Sequence, residues 1–117
     1  MIKGNYKKVK LEERIQQWIS SYLKTLSDAR FAFVSITKVD LTDDLSRATV
    51  YWDVFDAEKR VELSDALNNV SGKVRSQLSG SLKIRHVPAL TFCYDSQYDD
   101  EKNIMDILKQ EQEARKS

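Results

Sequence analysis

Apolar residues at Leu11, Ile15, Trp18, Ile19, Tyr22, Leu23 and Leu26 recur at intervals of three and four, which predicts an amphipathic helix with one buried stripe. After Ser27-Asp28-Ala29-Arg30 the chain turns β-branched and aromatic. Phe31 to Leu41 and Arg47 to Phe55 read as strands. In the second, Ala48, Val50, Trp52 and Val54 alternate with Thr49, Tyr51, Asp53 and Phe55, the pattern of a sheet with one covered face. The polar run Thr42 to Ser46 joins the two as an antiparallel hairpin, and Asp56 is placed to cap a following helix. Leu63, Ala66, Leu67 and Val70, then Val74, Leu78 and Leu82, predict two short helical pieces meeting at Val70-Ser71-Gly72. The glycine there is either a kink or a C-cap; spacing leaves both open. His86-Val87-Pro88 stops the helix, and Leu90, Phe92 and Tyr94 alternate in a third strand. The expected order is α-β-β-α-α-β, an α+β domain over residues 1–97 with helices on one face of a three-stranded sheet. A polar tail, partly helical or disordered, is expected over 98–117, broken by the apolar cluster Ile104, Met105, Ile107 and Leu108.

Charge changes this picture by its placement. The net charge of the 117 residues is only +1. By block, residues 1–30 carry +4, 31–70 carry −4, 71–90 carry +4 and 91–117 carry −3. Two basic blocks thus alternate with two acidic ones, which matters if the basic blocks share a face. In the first, Lys7, Lys8, Lys10 and Arg14 crowd a helix N-terminus, against the macrodipole, and Lys10 and Arg14 lie off the apolar stripe. In the second, Lys73, Arg75, Lys83 and Arg85 flank the apolar positions with no acidic residue between them, and Gly80 leaves open backbone off the stripe. Phosphate contacts need convergent cations, not a high total charge, so nucleic-acid binding stands beside a merely solvated basic face.

Candidate catalysis is thin. The single Cys93 and single His86 rule out a disulfide framework and a structural zinc site, and lie in no activating motif; they read as a packed cysteine and a surface histidine. Asp43-Asp44 and Asp99-Asp100-Glu101 read as turn and surface residues. Gly4, Gly72 and Gly80 are too far apart for a phosphate loop. No enzyme activity, metal, cofactor or small-molecule substrate is expected. With no apolar run long enough to cross a bilayer and no signal segment, the chain is expected to be cytoplasmic.

Four fragments taken in order resemble the ribosome-binding factor A family: Asp44-Leu45-Ser46-Arg47-Ala48-Thr49-Val50-Tyr51, Ala66 to Leu78, Val87-Pro88-Ala89-Leu90-Thr91-Phe92, and Tyr94-Asp95-Ser96. The resemblance spans about Lys7 to Ser96. It implies a single type II KH-like domain that binds the small ribosomal subunit through its rRNA and assists late maturation, rRNA processing and cold adaptation without catalysis, as a monomer when free. The family replaces the G-x-x-G loop by a kinked A-x-G, here Val70-Ser71-Gly72. Valine for alanine is a departure, as are Ala29 where proline is frequent and Ser81 where a basic residue often follows the glycine. The implied RNA-binding residues are Lys7, Lys8, Lys10, Arg14, Arg30, Ser71, Gly72, Lys73, Arg75, Lys83 and Arg85. Reversing Lys73 and Arg75 to Glu is expected to abolish subunit binding with the fold intact. The alternatives are a protein-interaction module using a sheet edge or the cluster Ile104 to Leu108, and a general single-strand RNA-binding KH-like domain.

Overall fold

The computed structural model describes residues 2–95, with side chains from Tyr6 onward. The expected tail, with its apolar cluster, lies outside the described residues. Helix α1 spans Ile2–Thr25 and buries Ile15, Ile19 and Leu23, the centre of the predicted stripe. A 3-10 turn, Ala29–Phe33, follows; the Asp28 carboxylate caps it by accepting from the Arg30 amide at 3.0 Å. Strand β1 therefore begins at Val34 and runs to Leu41, three residues later than the sequence pattern suggests. The cap won locally, because an Asx side chain that satisfies a free N–H favours a turn over extension. Strand β2 is Arg47–Val54, and β3 is Ala89–Tyr94.

The sheet has the order β1-β2-β3, with β2 central, antiparallel to β1 and parallel to β3. The parallel pair requires a crossover, which α2 supplies. Both helices pack on one face, where Val34, Ile36, Val39 and Leu41 of β1 and Ala48, Val50, Trp52 and Val54 of β2 are buried with Leu63, Leu67, Val74 and Leu78 of α2. Trp52 is fully buried at the centre, its ring 5.1 Å from Tyr94 in an edge-on arrangement. The α+β class, with helices on one face of a three-stranded sheet, is as expected.

Its second helical element differs in one respect. Helix α2 runs Arg60–Leu82 without interruption, so the two expected pieces are one helix and Gly72 caps nothing. Leu63, Leu67, Val70, Val74 and Leu78 keep steps of three and four through the glycine and stay on one face, and that continuous burial outweighs one weak helix former. Asp56 does cap, but for a 3-10 turn, Ala57–Lys59, that feeds α2; it accepts from the Glu58 amide at 3.1 Å.

Strand β1 carries a bulge at Thr37, between Ile36 and Lys38. Two side chains one turn apart on α1 attend to its backbone. Gln16 donates from Nε2 to the carbonyls of Ile36 at 3.1 Å and Thr37 at 3.3 Å, and Glu12 accepts from the Leu41 amide at 2.7 Å. Groups that a bulge and a strand edge would leave unpaired are thereby satisfied.

Candidate nucleic-acid interface

Helices α1 and α2 run antiparallel, so the N-terminal half of α1 meets the chain leaving α2. Leu11, the β1–β2 turn at Asp44, Leu45 and Ser46, and the segment Ile84 to Val87 line one open cavity of about 590 Å³. A second, of about 530 Å³, lies between the exposed face of α2 at Gly72, Ser76 and Ser79 and the residues Arg85, His86 and Val87. Lys8 reaches Asp43 of the hairpin turn at 3.2 Å. The two basic blocks, separated by an acidic stretch in sequence, thus come together at one end of the molecule.

Local chemistry shapes that end. Lys83 terminates α2 in the left-handed conformation, φ 52° and ψ 37°, turning the chain back across the helix. The returning loop is held by Arg75, which donates from Nη2 to the Val87 carbonyl at 3.0 Å and from Nε to the Pro88 carbonyl at 3.2 Å. Arg75 thereby fixes the wall that carries Arg85 and His86. In the hairpin turn Asp44 accepts from the hydroxyls of Thr42 and Ser46, both at 2.7 Å, which lowers its carboxyl pKa to about 2. Leu45 beside it has a left-handed φ of 61°.

The site residues expected from sequence divide accordingly. Lys7, Arg14, Lys83 and Arg85 are exposed and make no ion pair among the described residues, with Arg14 at the middle of α1 and Lys83 and Arg85 just past the end of α2. Lys10 lies 5.3 Å from the Tyr6 ring, and Lys8 is engaged by Asp43. Arg30 sits at the opposite end, between Asp28 at 2.6 Å and Glu62 at 2.8 Å, and is held more firmly protonated by the Asp28 and Glu62 hydrogen bonds. Its charge is spent within the fold. Lys73 faces the groove with Leu26, Asp28 and Arg30, away from Arg75, because two positions on a helix differ by 200°. Lys73 and Arg75 therefore form no common basic face. Reversing Arg75 to Glu would remove both hydrogen bonds to the loop, since a carboxylate cannot donate to the two carbonyls. Ser71 donates its Oγ to the Asn68 carbonyl at 2.9 Å, and Gly72 lies open, with no atom within 4 Å of where a Cβ would stand. His86 is exposed, as its reading as a surface histidine has it; its proximity to the open face of α2 accompanies the Arg75 clasp, which leaves no trace in residue spacing.

Among the described residues no group of His, Cys, Asp or Glu is arranged to hold a metal ion. Cys93, expected to be packed, is instead a free thiol exposed on β3, because it alternates with the buried Phe92. No helix among them is long and apolar enough to cross a membrane. Helices on one face of a small mixed sheet define a KH-like α+β domain. Comparison with known proteins agrees. The model of the ribosome-binding factor A family matches residues 7–108, and this chain belongs to that family. It is 41% identical over 104 residues to ribosome-binding factor A of Geotalea uraniireducens, covering 86% of this chain and 84% of that one. A Thermotoga maritima protein assigned to the same factor, solved by solution NMR, superposes with a TM-score of 0.68 at 30% identity, over 75% of this chain and 86% of that one. Thermus thermophilus ribosome binding factor A, as fitted into a cryo-EM map of a 30S complex, shares the fold with a TM-score of 0.63 at 23% identity, over 76% of this chain and 96% of that one.

Proposed function

We propose that this protein is a non-catalytic assembly factor that binds the small ribosomal subunit through its rRNA and assists late maturation and rRNA processing. The observation that carries this reading is the convergence of the two basic blocks at one end, by way of the β1–β2 turn and the Arg75-held loop. Membership of the family, one of whose members has been placed in a 30S complex, supplies the partner. Lys7, Lys10, Arg14, Lys83 and Arg85 are the phosphate contacts, with Lys8 recruited from Asp43. Arg75 acts by positioning the loop. The open backbone at Gly72 lets a rigid RNA surface come close to α2, so recognition is by shape and charge and not by gripping single bases.

The mechanism is binding that holds one immature rRNA arrangement until release. About six phosphate contacts make binding fall several hundredfold or more between 50 and 200 mM salt. Arg14→Glu, Lys83→Glu and Arg85→Glu together should abolish co-sedimentation with small subunits at 150 mM salt while leaving the circular dichroism spectrum unchanged. Salt-independent binding would sink the phosphate contacts. Tight binding to short unstructured oligonucleotides would favour a general single-strand binder, and a protein partner retained after nuclease treatment an interaction module.

A further inference from the structure

Three of the six large apolar side chains that stand exposed among the described residues lie where β1 starts, β2 ends and α2 begins. Phe55 is fully exposed at 104%, Val61 is 73% exposed and Phe33 60%. Phe33 and Phe55 directly flank Val34 and Val54, the last paired residues of β1 and β2, and the Lys59 ammonium lies 5.2 Å from the Phe33 ring. Large side chains exposed singly are ordinary, but three at one end of a small sheet mark a surface that something covers.

The chain leaves the sheet at this same end. Because β3 is parallel to β2, it finishes beside Trp52, where the Asp95 amide donates to the Trp52 carbonyl at 2.7 Å. The Arg60 guanidinium lies 4.3 Å from the centre of the Tyr94 ring, so the exit is within reach of a side chain from the first turn of α2. Beyond Asp95 the only run of large apolar residues in the sequence is Ile104, Met105, Ile107 and Leu108. The eight residues between Asp95 and Ile104 span up to about 30 Å when extended, ample to reach a patch beside the exit. The family match continues past β3 and ends at residue 108, the last of this cluster.

We infer that Ile104, Met105, Ile107 and Leu108 dock intramolecularly on the patch formed by Phe33, Phe55 and Val61. The tail then closes the end of the sheet away from the basic surface, and the segment belongs to the folded unit.

Amide exchange of the full chain, followed by NMR, tests this. Amides of residues 104–108 should exchange at least tenfold more slowly than those of residues 112–116. Phe55→Ser with Val61→Ser should remove that protection while β2 amides keep theirs, since both side chains are exposed. Ile104→Ser with Leu108→Ser should shift the signals of Phe33, Phe55 and Val61. Tail amides exchanging at the rate of an unstructured peptide would overturn the inference, as would protection that survives the Phe55 and Val61 changes. Protection that rises with protein concentration would assign the patch to a second copy of the chain instead.

Discussion

Lys83 holds a backbone conformation that costs an ordinary L-residue about 1–2 kcal/mol, at the position after a helix where glycine is commonest. Lys83→Gly should therefore stabilise the fold, by about 0.5–1 kcal/mol once the greater freedom of glycine in the unfolded chain is counted, read as a higher urea midpoint. The same variant should bind small subunits less tightly, because one phosphate contact is gone. Neither this conformation nor the Arg75 clasp was visible in the sequence. A left-handed residue other than glycine has no compositional mark, and Arg75 looks like any surface cation until the loop carbonyls 12 and 13 residues away are seen against it.

At the scale of elements, hydrophobic period located β2, the hairpin and β3 to within a few residues, whereas α1 begins at Ile2, nine residues before the first residue of its stripe. It failed where a local device competed: the Asp28 cap curled Phe31 to Phe33 into a 3-10 turn, and Gly72 suggested a boundary that the unbroken stripe of α2 does not respect. The cations of the proposed site are legible in the sequence as charge, but their placement is not: Arg30 and Lys73 carry the same charge as Arg85, and only tertiary placement sends them elsewhere. Helix α2 also has two glycines, 72 and 80, where an added Cβ would meet nothing within 4 Å. Gly72→Ala and Gly80→Ala should each raise stability by about 0.5–1 kcal/mol in urea unfolding, since alanine is the better helix former and no clash opposes it. If the open backbone of α2 serves close approach of RNA, Gly72→Ala should also lower small-subunit affinity in co-sedimentation.

The whole molecule is polar in its division of labour. Cations gather at one end of α2 and the apolar patch at the other, about 33 Å apart for a helix of 23 residues. Sites so distant, with no shared partner, should act independently. Phe55→Ser should leave subunit affinity unchanged, Arg85→Glu should leave the protection of residues 104–108 unchanged, and the double variant should show both losses, additive within about 0.5 kcal/mol in binding free energy. The bulged strand β1 has a consequence of a different kind. With Glu12 on the Leu41 amide and Gln16 on the carbonyls of Ile36 and Thr37, α1 has used up hydrogen-bonding sites along that side of the sheet. A strand adding along β1 would first have to displace these α1 side chains from its edge. Repetition from copy to copy through that edge, the stacking of sheet on sheet that ends in fibres, is thereby opposed.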